Sequence, residues 1–175
     1  MKGIVTGAVG VVVLGALAAL TAVHFGLVPA NADATPSALE TWAAHTSLHA
    51  TIRREAPRGP NPVKLDNENL LAGIKLYARD CAVCHGAIDG KASNVAMGLY
   101  QKPPQLAKDG VEDDPEGYTY WKVYHGIRMT GMPSFGHTLS STEIWQLSLF
   151  LKHMDALTPA AKKAWASVPS QAAKS

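Results

Sequence analysis

Charge is missing from one end of this 175-residue chain: between Gly3 and Ala32 there is no Asp, Glu, Lys or Arg. That absence excludes a solvated arm. Ile4 to Val23 is nearly all aliphatic, Ala or Gly, and meets the roughly 20 apolar residues needed to cross a bilayer. Cysteine is scarce too. The only two, Cys81 and Cys84, lie three positions apart, which excludes a disulfide scaffold and points to a chemical role. Aromatics are 7% of residues, and 16 Lys and Arg barely exceed 14 Asp and Glu, so the electrostatic footprint of a nucleic-acid binder is absent. What is present, 47% hydrophobic residues in a chain of this length, suits one globular domain plus an appendage rather than a multidomain enzyme.

Residues 1–32 are expected to be a transmembrane anchor or uncleaved signal. Lys2 carries the only side-chain positive charge on the leading side and Asp33 is the first charge afterwards, so the positive-inside tendency places the body outside the cytoplasm. The rival reading is a secretory signal cleaved near Ala32, since Ala30-Asn31-Ala32 fits the small-residue pattern. The apolar run is longer than a usual signal core, which favours the anchor, with the body periplasmic on either reading. Residues 33–65 read as a helix starting near Ser37, with Leu39, Trp42, Leu48 and Ile52, followed by a linker. In that linker Arg53, Arg54 and Arg58 stand close to Pro57, Pro60 and Pro62 and are expected to be extended and exposed. The arginines read as solvated or as a contact for anionic lipid headgroups or a partner. His45 and His49 have i, i+4 spacing but no carboxylate or cysteine beside them, so an exposed pair is expected rather than a metal site.

The body reads as all-α. A first helix is predicted over Asn67 to Cys81, with Glu68 in its first turn, a second over Glu116 to Arg128, and a third over Ser141 to Leu157. Ser140 and Glu143 form a capping box for the third. Gly86 to Pro115 shows no alternating strand pattern, so no sheet is expected, and a loop of about thirty residues needs something other than protein to fill the core. Pro159 to Ser175 is a trailing helix or tail, and Trp165 suggests that part of it docks.

Cys81-Ala82-Val83-Cys84-His85 supplies that filler: C-x-x-C-H is the pattern of covalent c-type haem attachment. Two thiols on one turn can each add to a porphyrin vinyl group, which places the adjoining imidazole over the ring. A redox dithiol would want a neighbouring strand, and a structural zinc site four ligands, and neither context is present. For the sixth iron ligand the candidates are Met97, His125, Met129, Met132, His137, His153 and Met154. Met132 stands in Thr130-Gly131-Met132-Pro133-Ser134-Phe135-Gly136, where glycine permits close approach and proline stiffens the turn, and it is the predicted ligand. Met129, near a predicted helix end, Met97 and Met154 are expected to serve core packing.

These residues resemble a bacterial class I mono-haem cytochrome c over residues 66–157: Cys81, Cys84 and His85 match the haem-binding box, and Met132 in Gly-Met-Pro the distal methionine. The resemblance implies helices and long loops wrapped around one covalent haem c. It also implies crossing first and last helices, with Gly73, Tyr77 and Trp145 in the matching places. With His85 and Met132 on its two faces, the iron would have no open position, so single-electron transfer between donor and acceptor oxidoreductases is expected rather than catalysis, at a positive midpoint potential. The alternatives are a peroxidase or gas sensor with a displaceable methionine, and a fixed haem subunit of a larger dehydrogenase or reductase complex. Between residues 66 and 157 there are 8 Lys and Arg against 11 Asp and Glu. The domain is thus mildly acidic, and the acidic loop Asp109 to Glu116 is a candidate docking surface or simply a solvated loop.

Overall fold

The computed structural model describes residues 2–172; Met1 and the last three positions of the expected tail lie outside the described residues. The chain divides into two compact units between Ala34 and Thr35. The first is built on α1 (Lys2–His24), 23 residues whose rise of 1.5 Å each gives about 35 Å, enough to cross a hydrocarbon core of about 30 Å. Its mean hydropathy over Gly3–His24 reaches 2.3, and none of that segment is buried.

The second unit is all-helical, with no strand among the described residues. It comprises α2 (Ala38–Glu55), α3 (Asn67–Asp80), α4 (Ala82–His85), α5 (Asn94–Gly98), α6 (Leu106–Asp109), α7 (Glu116–His125), α8 (Ser141–Lys152) and α9 (Pro159–Ala166). Side-chain oxygens set the starts. Ser37 accepts from the Glu40 amide, Asp66 from Asn69, and Ser140 and Glu143 close the capping box. The stretch before α3 is largely exposed yet tied down: the Asn61 side-chain amide donates to Glu116 at 2.8 Å and to the Trp145 carbonyl at 3.1 Å.

The core is the crossing of α3 and α8. A Cβ on Gly73 would lie 2.3 Å from the Gln146 carbonyl oxygen and 2.8 Å from Phe150 Cβ, so only glycine lets the two backbones approach. Beside it Tyr77, Phe150 and Trp165 meet edge to face, with centroids 5.2–5.6 Å apart. The aromatic of α8 that meets Tyr77 is therefore Phe150. Trp145, expected in that place, instead stacks on Tyr120 of α7 at 4.3 Å. Two helix ends also differ from expectation. Gly126, at φ 68°, stops α7 before Arg128. The third predicted helix stops at Lys152, where His153 leaves helical geometry and its amide shares the carbonyls of Leu149 and Phe150. Met154 keeps the apolar spacing because the chain turns back into the core there; α9 then starts on Thr158 and Pro159 and buries Trp165.

Candidate functional site

Helix α3 delivers Cys81 to its own C-terminus, where the Cys81 amide bonds to the Tyr77 carbonyl at 2.9 Å. The chain then closes one tight turn on the Cys81 carbonyl, which accepts from Cys84 at 3.0 Å and from His85 at 2.9 Å. Gly86, at φ 74°, ends it. Cys81, Cys84 and His85 thus come from a single turn, and both thiols are free. Burial pushes the Cys81 thiol up to about 12, helped by the Asp80 charge and by Cys84, and burial raises Cys84 as well. Redox dithiols work as low-pKa thiolates, so this pair lacks the electrostatics of a thiol oxidoreductase.

The imidazole of His85 is oriented by one bond. Its Nδ1 lies 2.9 Å from the Pro104 carbonyl oxygen, and a carbonyl only accepts, so Nδ1 carries the proton and Nε2 keeps its lone pair. Burial lowers the His85 pKa, and the Pro104 bond opposes this only in part, leaving the ring neutral at physiological pH. The turn's carbonyls are held from several places in the sequence. The buried Tyr77 hydroxyl donates to His85 O at 3.1 Å and to Gly86 O at 2.9 Å, and burial raises its pKa so that it stays a donor. Ser93 Oγ donates to Val83 O at 2.5 Å, and Gln105 Nε2 to Cys84 O at 3.1 Å. A Cβ on Gly86 would come 2.5 Å from Gln105 Oε1. Ser93, Pro104 and Gln105 were not predicted as site residues; their one sequence signal is Pro103-Pro104, which fixes an extended backbone with free carbonyls.

Met132 lies in the loop after α7. Gly126 turns the chain so closely that a Cβ there would be 2.6 Å from Pro133 C and 2.8 Å from Met132 O. Ile127 N donates to Met132 O at 3.1 Å, and Met132 N to Thr130 Oγ1 at 3.1 Å. Phe135 N and Gly136 N close the loop on the carbonyls of Val123 and Tyr124, both at 3.0 Å. Gly131 lies against Leu99, where a Cβ would meet the side chain at 2.6 Å. Met132 is half-buried and packs, like Cys81, against the core cluster.

The other methionines part company. Met154 is core, as expected. Met129 is 87% exposed and Met97 51%, so neither serves the core packing expected of it. Met129 also sits beyond the end of α7 at φ 61°, in the left-handed region, because the turn from Ile127 to Thr130 requires it there. His125 and His137 are exposed. His45 and His49 are exposed and stacked at 6.1 Å, and among the described residues no third histidine, cysteine or carboxylate joins them to form a metal cluster.

The acidic loop is largely committed to internal bonds. Asp109 caps the Gln105 amide at 2.7 Å, Glu112 the Val111 amide at 2.8 Å, and Asp114 pairs with Lys122 at 2.6 Å. Lys152 reaches the carbonyls of Glu112 and Asp114.

The donor set fits a covalent haem: two neutral free thiols and a neutral imidazole with an available Nε2 on one rigid turn, and a half-buried thioether facing the same core. Comparison with known proteins agrees. The profile of a family described as cytochrome c oxidase, cbb3-type, subunit III matches residues 68–151. A curated relative, quinohemoprotein alcohol dehydrogenase ADH IIB of Pseudomonas putida, is 30% identical over 94 residues, 54% of this chain and 12% of that protein. The chain therefore spans about an eighth of that relative's length. Haem c with its iron, held covalently, is the cofactor of this domain, and carrying electrons is what such a domain does. The helices and the family match together mark residues 68–151, just under half of the chain, as a c-type cytochrome domain of the mono-haem class I kind.

Proposed function

We propose that this protein is an anchored carrier of single electrons, in which Cys81 and Cys84 form the thioethers to haem c and His85 and Met132 ligate its iron. Bound there, the haem supplies a one-electron ferric/ferrous couple. The chain's own residues do the rest. Cys81 and Cys84 fix the site on α3 and α4. Pro104 holds the His85 ring with Nε2 free, and the Tyr77, Ser93 and Gln105 bonds keep the turn from relaxing. Gly126 and Pro133 restrict the loop that carries Met132. The observation that carries this reading is the 2.9 Å contact of His85 Nδ1 with Pro104 O, because it leaves the lone pair of the other ring nitrogen free for a metal.

Held by the His85 nitrogen and the Met132 sulfur, a bound haem iron would keep no open position, so the site would favour electron transfer over activation of oxygen or peroxide. Helix α1 serves as a single-pass anchor, the haem domain lies in the periplasm, and the partners are donor and acceptor oxidoreductases. A second reading, a fixed haem subunit of a larger dehydrogenase, is favoured by the name of the matched relative, an alcohol dehydrogenase. Purification in mild detergent separates the two: a carrier elutes alone, a subunit with its enzyme.

The covalent site is tested by intact-mass spectrometry. The purified chain should exceed its polypeptide mass by one haem, and Cys81→Ser/Cys84→Ser should lose that increment. A wild-type mass equal to the polypeptide alone would overturn the assignment.

A further inference from the structure

Helix α2 carries a face that the haem site leaves unused. Leu39, Trp42, Thr46, His49 and Arg53 recur every three or four residues and form one stripe about 21 Å long. The whole stripe is exposed, Leu39 at 72% and Trp42 at 64%, while Ile52, about a quarter-turn away around the helix, is buried. Trp145 and Trp165, by contrast, are buried, so a freely exposed tryptophan on α2 stands out. The helix's two carboxylates are used elsewhere: Glu40 accepts from the Tyr100 hydroxyl at 2.7 Å, and Glu55 pairs with Arg54 at 2.7 Å. Among the described residues no carboxylate pairs with Arg53, and Arg58 reaches only the Arg53 carbonyl, at 3.5 Å.

We infer that this stripe lies on the surface of an anionic bilayer, the membrane that α1 crosses, and so fixes how the haem domain is presented to its partners. The inference rests on the anchor reading above. Three features select lipid as the occupant. The stripe is apolar and aromatic at its start and basic at its end, which suits acyl boundary and headgroup phosphate respectively. Tryptophan is the residue of membrane interfaces and arginine pairs with anionic headgroups. Only residues 25–37 separate α1 from α2, so the start of α2 stays within about 45 Å of the membrane.

The test is hydroxyl-radical footprinting of the full-length holoprotein in lipid nanodiscs, comparing about 30% phosphatidylglycerol in phosphatidylcholine with phosphatidylcholine alone. Trp42 oxidation is the readout and exposed Met129 the internal reference. Trp42 should be oxidised about fivefold more slowly in the anionic discs, and Arg53→Glu or high salt should each abolish the difference. Equal rates in the two lipids overturn the proposal, fast ones showing the face free for a protein partner and slow ones showing a cover indifferent to charge. Retention in the disc through a salt wash is scored separately. Retention without Trp42 protection overturns the docking face alone, whereas release overturns the anchor and the face with it.

Discussion

The turn Cys81–His85 and the loop around Met132, which we propose supply the haem ligands, are secured in different ways. The turn is held by Tyr77, Ser93, Pro104 and Gln105, which reach it across 8 to 21 residues of sequence and hold its carbonyls and its imidazole. The loop's hydrogen bonds come mostly from nearer by, from Thr130 within two residues, Ile127 within five and the last turn of α7 within twelve, with Leu99 packed against Gly131. The turn contains Ala82 and lies against Tyr77, both fully buried, whereas Met129 in the loop is the most exposed large apolar side chain of the molecule among the described residues. The difference teaches where each ligand gets its rigidity. His85 is tied to the α3–α8 core through Tyr77 and to the folded-back long loop through Ser93, Pro104 and Gln105, so freeing it means disturbing both. Met132 depends on a local turn that can open while the core stays closed.

Breaking the core side should have the largest effect. Gly73→Val places atoms inside the Gln146 backbone and should destabilise the protein by about 3 kcal/mol or more, with both ligands lost together; thermal unfolding of the purified protein measures it. Gly126→Ala attacks the other side, through a left-handed backbone and a Cβ 2.6 Å from Pro133. A cost of about 2 kcal/mol is expected, together with loss of the methionine bond before the histidine bond in a denaturant titration followed spectroscopically. Tyr77→Phe leaves the His85 and Gly86 carbonyls without their buried donor and should cost about 1 kcal/mol, with the methionine bond unaffected; equilibrium unfolding and the visible spectrum check the two halves.

The smallest effect is a pH dependence at the start of α8. Donation from the Ser140 amide and hydroxyl holds the Glu143 carboxyl below its ordinary value of 4.5. A depressed folded-state value contributes stability above the unfolded value and loses it as pH falls through the folded one. The melting-temperature advantage of the native chain over Glu143→Gln should therefore be full above about pH 4.5 and shrink below it.

How much of this was legible in the sequence follows the same division. The tight turn was readable because Cys81, Cys84 and His85 are contiguous, and the constrained loop around Met132 because glycine and proline flank it. The start of α8 was readable from Ser140 and Glu143, since a capping box is written within four residues. Ser93 and Gln105 were invisible, because their bonds to the turn depend on how the long loop folds back. The partner of Tyr77 is hidden in the sequence for the same reason: Trp145 and Phe150 are both aromatic and both on α8, and only the crossing at Gly73 decides which one faces Tyr77. The end of α8 was overrun because Met154 and Leu157 keep helical spacing after the helix stops. Met129 is exposed against expectation because nothing in an isolated methionine signals a left-handed turn.

The ligand assignment is tested most directly by the visible spectrum of the ferric protein in two single variants made side by side. Met132→Ala should abolish the weak far-red absorption that marks sulfur bonded to haem iron, while Met129→Ala, three residues away in the same loop, should leave it intact. Survival of that absorption in Met132→Ala, or its loss in Met129→Ala, would contradict the account.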